Sequence, residues 1–115
     1  MEWIEADLSV WEPHRTFDLV TTHYAHPQLP QLDFYERISH WVAPGGTLLI
    51  VGHLAGSGPA HAHPPKATAD AAGISGRLGA PAWQIVSAEE VARTVTAPNG
   101  RRLELHDVIV QARRI

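Results

Sequence analysis

The chain has 115 residues and a mass of 12.6 kDa, which is the size of one domain. Hydrophobic residues make up 44% of it and the formal net charge is -3, a balance that favours a packed core over disorder. A general nucleic-acid binder is excluded, because neutralising phosphates needs an excess of lysine and arginine. There is no cysteine, no apolar run of the ~18 residues that a membrane span needs, and no basic segment after Met1. We therefore expect a single cytoplasmic domain, residues 1–115, without a signal peptide or disulfides.

The first third of the chain predicts two strands and a helix. Residues 2–6 form a short apolar run and are predicted as a buried strand. Residues 17–23 are rich in β-branched and apolar side chains and predict a second strand. The apolar spacing over 33–42 is that of one helical face, with Asp33 as a suitable N-cap. The Pro-Gly-Gly sequence at 44–46 is expected to end this helix.

The middle of the chain predicts a buried strand followed by irregular structure. Residues 47–51 are apolar on both faces, which is typical of a central parallel strand. Residues 17–51 therefore predict a right-handed strand–helix–strand unit. Residues 52–65 are rich in glycine and proline and predict a long loop, and the alanine-rich segment 66–79 predicts a weak helix.

The last third predicts an antiparallel pair of strands. Residues 83–86 open one strand, and 103–113 alternate in polarity as a final strand. The turn at 98–100 contains Asn-Gly, which favours antiparallel pairing. Residues 87–95 are ambiguous, because they combine a helix capping box with β-branched side chains. The fold class is α/β with an antiparallel edge. The predicted core residues are Phe17, Leu19, Ile38, Trp41, Val42, Leu48, Ile50, Val51, Val108 and Val110.

Polar side chains follow the predicted strands. Asp7 comes directly after the first strand, and His23, Tyr24 and His26 follow or end the second. His53 follows the central strand. Because ligands bind beyond the carboxyl ends of parallel strands, we expect these five residues on one ligand-binding rim. For each residue taken singly, the alternative is an ordinary surface position.

Histidines also raise the question of a metal. His61 and His63, with His53 nearby, could offer imidazoles to Zn²⁺ or Ni²⁺. The nearest carboxylate in the sequence is Asp70, and a closed site needs three or four preorganised ligands. We therefore predict no metal site, and a small histidine-rich metal-binding protein is kept as an alternative. A Gly-x-Ser-x-Gly nucleophile motif is absent from the sequence.

Three segments in this order resemble one family. They are IEADL at 4–8, FDLV at 17–20 and, after a predicted helix, VAPGGTLLIV at 42–51. Together they resemble the class I S-adenosylmethionine-dependent methyltransferases over essentially the whole chain. The resemblance implies part of a doubly wound, Rossmann-like sheet with a C-terminal antiparallel strand pair. It also implies S-adenosyl-L-methionine as cofactor and a transferase reaction in which an unidentified acceptor receives a methyl group.

The resemblance also implies roles for particular residues. Asp7 would accept a hydrogen bond from the adenine amino group, and Leu8 would pack beside the base. His23 would lie near the methionine part of the cofactor. His23 and His26 are then the candidate catalytic bases, where the acceptor must lose a proton. Tyr24, His26 and His53 would face the substrate.

One departure from the family pattern changes the expectation for activity. The family's main cofactor element is a strand that ends in a Gly-rich turn, followed by a strand with a ribose-binding acid. Only six residues precede Asp7, and neither element occurs before residue 17. We therefore expect the C-terminal half of a methyltransferase-like fold, incomplete and inactive by itself. The alternative is a non-catalytic fragment that forms a homodimer or binds a partner.

The missing strands also predict how the sheet edge is covered. Without them the strand at 17–22 would have an unprotected edge, and such edges recruit other strands. Either residues 3–6 move in to pair with it, or a second copy of the chain does. We expect a homodimer through this edge, because two-fold pairing is the common solution.

Overall fold

The computed structural model describes residues 2–54 and 69–115. In these ranges four strands form one mixed sheet, and two helices cover one of its faces. The elements in chain order are β1 (Phe17–His23), α1 (Gln31–Ser39), β2 (Val42–His53), α2 (Ala71–Arg77), β3 (Trp83–Thr96) and β4 (Arg102–Arg114). The strand order across the sheet is β1-β2-β4-β3. The α/β class and the partial Rossmann-like sheet are confirmed. Neither described helix is long and apolar enough to cross a membrane.

The predicted strand–helix–strand unit is present. β1 runs parallel to β2, with Leu19 opposite Thr47 and His23 opposite Val51. The helix between them is α1, which begins after Pro30 rather than at Asp33. The prediction of Asp33 as N-cap is therefore wrong. Its carboxylate lies in the first helical turn, where it suits the helix dipole.

The Pro-Gly-Gly sequence does not end the helix. α1 ends at Ser39, and residues 44–46 lie inside β2 at an irregularity of the β1–β2 register. Gly45 has a φ of +82°, and a Cβ on Gly46 would lie 2.9 Å from the Asp18 carbonyl oxygen. Glycine is needed here because the strand bends close to its neighbour.

The core lies between the helices and one face of the sheet. Six predicted core residues are buried there: Ile38, Val42, Leu48, Ile50, Val108 and Val110. The structure adds Phe34, Tyr35, Ile74, Leu78 and Ala112. The prediction for Leu19 is wrong, because its side chain is 60% exposed. Phe17, Trp41 and Val51 are only half-buried.

The error at Leu19 has a simple geometric reason. Side chains of a strand alternate between the two faces of a sheet. Val20 packs against the core cluster beside buried Leu48 and Ile50, so Leu19 and Val51 point to the opposite face. In the described ranges no helix covers that face.

Residues 2–6 do not form the predicted strand. They have no regular secondary structure, and their side chains are exposed, Trp3 to 86%. An apolar run becomes a buried strand only when a neighbouring strand supplies its hydrogen bonds. Within the described part of the chain β1 pairs with β2 alone, so residues 3–6 do not fill its other edge.

The ambiguous segment 87–95 is a strand. β3 pairs antiparallel with β4 along nearly its whole length. Its backbone N–H and C=O groups are therefore hydrogen-bonded to β4, and no helix is needed to pair them. The turn between them has a φ of +81° at Gly100. The antiparallel pair and the final strand are therefore confirmed.

The predicted loop and weak helix are partly described. Gly52 and His53 belong to β2, and the helical part is α2, whose N-cap Asp70 accepts the amide of Gly73 at 2.6 Å. The remainder of both predictions, from residue 55 to residue 68, lies outside the described residues.

Candidate functional site

A cleft of about 330 Å³ opens between the segment that precedes β1 and the loop that follows it. Its lining residues come from two stretches of sequence: Ala6, Asp7, Leu8, His26, Pro27 and Gln28. The cleft therefore brings Asp7 and Leu8 next to His26. It lies just beyond the carboxyl end of β1, where ligands of open α/β sheets bind.

A tight turn fixes the backbone at Asp7. Its carbonyl oxygen accepts the amides of Val10 at 3.1 Å and Trp11 at 2.8 Å. Its carboxylate Oδ1 accepts the amide of Ser9 at 2.9 Å. The Ser9 hydroxyl in turn accepts the amide of Gln28 at 3.0 Å. These bonds tie the two walls of the cleft together, although no regular strand precedes Asp7.

Helix α1 holds the outer side of this turn. The Arg37 guanidinium donates from Nε to the Leu8 carbonyl oxygen at 3.1 Å and from Nη2 to that of Trp11 at 2.7 Å. The same Nη2 lies 2.9 Å from a Glu12 carboxylate oxygen. The Trp11 ring packs edge-on against Trp41 at 5.5 Å. One arginine thus positions a wall that has no sheet partner.

Three rings meet beside the cleft at the end of β2. The His53 ring lies 4.6 Å from that of Tyr24 and is stacked on His26 at 5.5 Å. Tyr24 has a φ of +57°, and its amide donates to Val51 at 2.8 Å. A left-handed conformation at a bulky residue is a strain of order 1–3 kcal/mol that functional sites often retain. The predicted residues Tyr24, His26 and His53 therefore form one cluster.

A buried carboxylate lies under this cluster. Asp107 of β4 is 4% exposed and is the register partner of His53. Its Oδ2 accepts the Tyr24 hydroxyl at 3.0 Å and Arg93 Nε at 2.8 Å, and its Oδ1 lies 3.7 Å from His53 Nδ1. Neither Asp107 nor Arg93 was predicted from the sequence. The available signal for Asp107 was its position as an acid among the alternating apolar residues of the final strand.

Burial and the Asp107 carboxylate keep Tyr24 and Arg93 protonated. Burial raises the pKa of the Tyr24 hydroxyl above its usual range, and the hydrogen bond and negative charge of Asp107 raise it further. The hydrogen bond to Asp107 likewise raises the pKa of Arg93. At neutral pH Tyr24 is therefore a donor and Arg93 a cation.

Some predicted residues lie apart from the cluster. His23 is exposed, and its Nε2 lies 2.7 Å from the Thr21 hydroxyl on the same strand. His61 and His63 lie outside the described residues. Within residues 2–54 and 69–115 no three histidine or carboxylate side chains come together as a metal site.

Comparison with known proteins links the chain to one enzyme class. No family model matches it. A trans-aconitate 2-methyltransferase from Rhizobium leguminosarum bv. trifolii is 34% identical over 89 residues, which is 70% of this chain and 34% of that enzyme. The chain thus spans about a third of the length of this relative.

Solved structures share the fold. TehB from Haemophilus influenzae matches 94% of this chain and 38% of its own, with a TM-score of 0.63 and 14% identity. The structure of a putative methyltransferase from Thermoplasma acidophilum matches 93% of this chain and 42% of its own, with a TM-score of 0.58 and 13% identity. These likenesses concern the fold alone. Together with the sequence match, they show that the chain resembles part of a class I S-adenosylmethionine-dependent methyltransferase.

Proposed function

We propose that the chain contributes to methyl transfer from S-adenosylmethionine to a small-molecule acceptor. The observation that carries the proposal is the meeting of Asp7, Leu8 and His26 at one cleft beyond β1. The sequence match to a methyltransferase supports it.

The cleft suits the adenine end of that cofactor. A planar base needs apolar contacts on its faces and an acceptor for its amino group. Leu8 and Pro27 offer the first, and the exposed carboxylate of Asp7 offers the second. Its volume of about 330 Å³ lies at the low end of ligand pockets, which are about 300–1,000 Å³. The space therefore fits a nucleoside better than the whole cofactor.

The remaining roles are those that the family resemblance implies. When bound, S-adenosylmethionine supplies a methyl group activated on a sulfonium. We assign the methionine end of the cofactor to the side of His23. Tyr24, His26 and His53 then face the acceptor, and His23 and His26 stay candidate bases. A cytoplasmic location remains a prediction of the sequence.

The 115-residue chain by itself should not catalyse methyl transfer. Residues 1–16 contain no glycine, so no Gly-rich turn precedes β1. The net contribution of one hydrogen bond accepted by Asp7 is about 0.5–1.5 kcal/mol. We therefore propose that the 115-residue chain is inactive and that its affinity for the cofactor is weaker than about 100 μM, which corresponds to about -5.5 kcal/mol.

Nuclear magnetic resonance with millimolar S-adenosylmethionine tests this proposal. Amide shifts should concentrate at Leu8, His26 and Gln28, and Asp7→Asn should reduce them while its side-chain oxygen still caps Ser9. Asp70→Asn is the matched control, because Asp70 also caps a backbone amide. Shifts that avoid the cleft would contradict the site. Micromolar affinity or turnover would contradict the proposed inactivity.

The open edge of β1 favours a second candidate, a non-catalytic homodimer or partner-binding fragment. In the described ranges β1 has one strand partner, and Leu19 beside its open edge is 60% exposed. Open edges recruit strands from other chains. A homodimer that binds no S-adenosylmethionine at the cleft would support this candidate over the first.

A further inference from the structure

We propose that the Gln28 carboxamide donates a hydrogen bond to a ring nitrogen of the adenine base, next to the amino group that bonds to Asp7. Ser9 is the positioning residue that holds the two side chains across the cleft. The inference rests on the proposed binding of the adenine end of S-adenosylmethionine. It adds a second residue that reads the base and a residue that sets the geometry of the pair.

The first argument is the position of Gln28. It lines the cleft from the loop after β1, whereas Asp7 lines it from the segment before β1. Both residues are exposed. A ligand that enters the cleft therefore meets a carboxamide on one wall and a carboxylate on the other. Leu8 and Pro27 line the same cleft and offer apolar contacts to the faces of a planar base.

The second argument is a pair of hydrogen bonds that joins the two walls. The Ser9 backbone amide donates to Asp7 Oδ1 at 2.9 Å, and the Ser9 hydroxyl oxygen accepts the backbone amide of Gln28 at 3.0 Å. Ser9 and Gln28 are 19 residues apart in the sequence, so this contact is tertiary. Polar groups that are held in place before binding lose less entropy when a ligand arrives. Ser9 therefore fixes the Asp7 carboxylate and the Gln28 backbone relative to each other.

The third argument is the hydrogen-bonding chemistry of the two side chains. An ionised carboxylate only accepts hydrogen bonds, whereas a carboxamide also has two N–H donors. The bond from Ser9 engages Oδ1 of Asp7, and a carboxylate has a second oxygen that can accept from a ligand. Glutamine is a common partner of adenine, because its amide matches the polar groups of one base edge. The two walls together thus offer an acceptor and a donor.

Adenine presents the complementary pattern. Its 6-amino group donates, and the ring nitrogens N1 and N7 lie on either side of that group and accept. When the amino group bonds to Asp7, one of these nitrogens is left to accept from Gln28. A base edge of this kind satisfies both walls at once, and the cleft is therefore assigned to a 6-aminopurine.

The imidazole of His26 is the other polar side chain of the cleft. Its ring stacks on that of His53, with 5.5 Å between the ring centroids. The stacking engages the ring beside the cleft rather than across it from Asp7. The base edge is therefore assigned to Asp7 and Gln28.

Nuclear magnetic resonance titrations with adenosine and two deaza analogues test Gln28. 1-Deazaadenosine and 7-deazaadenosine each replace one ring nitrogen by C–H and keep the amino group. One of the two should bind the wild-type chain about 2- to 12-fold more weakly than adenosine, which is the factor that corresponds to one net hydrogen bond. Gln28→Met removes the amide and keeps the length of the side chain. In this variant adenosine should bind as weakly as that analogue, so that the difference disappears.

Gln84→Met is the matched control. Gln84 is also exposed, but it lies in β3, at the opposite edge of the sheet from β1. This variant should keep the preference of the wild-type chain for adenosine over the sensitive analogue. A loss of the preference in Gln84→Met would show that the effect does not come from the cleft and would overturn the assignment of Gln28.

Ser9 is tested by its own pair of variants. Ser9→Ala removes the acceptor of the Gln28 backbone amide, so this amide should exchange with solvent faster and the preference for adenosine should fall. Ser9→Thr keeps a hydroxyl and should restore both. A merely structural role of Ser9 would change the exchange rate and leave the preference unchanged.

Each outcome decides the inference. Equal binding of adenosine and both analogues to the wild-type chain overturns it, and this measurement needs no variant. A preference that persists in folded Gln28→Met overturns the role of Gln28, and one that persists in Ser9→Ala overturns the positioning role of Ser9. Failure of the proposed function has a different signature, because the cleft amides would then shift with neither adenosine nor S-adenosylmethionine. That result would overturn both proposals.

Discussion

The hydroxyl of Tyr35 occupies the space beside Gly52, so that a Cβ atom added to Gly52 would overlap it. Tyr35 lies in α1 and is 2% exposed, and Gly52 lies in β2 one residue before His53. The contact therefore sets the distance between the helix and the strand that carries the ring cluster. A side chain at residue 52 must displace the Tyr35 ring or the helix that carries it.

Gly52→Ala should lower the free energy of unfolding by about 1–3 kcal/mol, as expected for an overpacked core. Tyr35→Phe in the same chain should restore much of the loss, because the next atom of the ring, Cζ, would lie 3.7 Å from the new Cβ. Urea unfolding of both single variants and the double variant measures this coupling. Strictly additive losses would show that the two residues do not compete for this space.

Much of the fold could be predicted because it depends on local pattern. The strands at 17–23 and 47–51 and the turn at 98–100 carry their own signals in spacing and residue type. The exposure of Leu19 and the lack of a strand at residues 2–6 could not be predicted in this way. Both depend on whether a second layer or a neighbouring strand is present, which no local pattern records.

The candidate site could likewise be predicted only where it depends on local pattern. The sequence points to Asp7, Tyr24, His26 and His53 because each follows a predicted strand, and strand ends meet at one edge of a sheet. Asp107 is inside a strand, and only the β2–β4 register places it opposite His53. A register spanning more than fifty residues of sequence is set by tertiary packing, so the sequence rule could not reach it.

Alkaline pH should destabilise the chain through its tyrosines. Burial raises the pKa of Tyr35, and burial together with Asp107 raises that of Tyr24. The folded state then keeps these protons when the unfolded state has begun to lose them at about pH 10. Stability is therefore retained below that pH and lost as the pH rises through the folded-state values. Urea unfolding from about pH 9 to about pH 11 should show this fall, and Tyr35→Phe should make it shallower. An equal slope in the variant would contradict the assignment.

Arg37 should control the order of the cleft wall. Its guanidinium bonds the carbonyl oxygens of Leu8 and Trp11, and hydrogen bonds from a charged group contribute about 1.5–3 kcal/mol in well-shielded positions. In Arg37→Ala the amides of Val10 and Trp11, which donate to Asp7, should exchange with solvent faster.

Arg77→Ala is the matched control for this experiment. Arg77 also projects from a helix to acidic partners, Asp33 and Glu36, but it does not touch the cleft wall. Its loss should leave the Val10 and Trp11 amides as protected as before. Equal exchange of the Val10 and Trp11 amides in wild type and Arg37→Ala would mean that the turn at Asp7 is stable without Arg37.

The last prediction concerns the exposed edge of the sheet. β1 and β3 are both edge strands in the described ranges, and each carries an exposed aliphatic side chain, Leu19 at 60% and Val86 at 53%. A two-fold pairing of β1 with β1 of a second copy would satisfy its open backbone groups and cover Leu19. A lysine at residue 19 would place a charge in that interface, whereas a lysine at residue 86 would remain in solvent.

Sedimentation of the wild-type chain should therefore give twice the monomer mass of 12.6 kDa. Leu19→Lys should give the monomer mass, because desolvating two like charges across the pair opposes association. Val86→Lys should remain dimeric and so controls for the general effect of an added charge. A wild-type monomer at high micromolar concentration would contradict the dimer. If Val86→Lys is a monomer and Leu19→Lys remains a dimer, the interface lies at β3 instead.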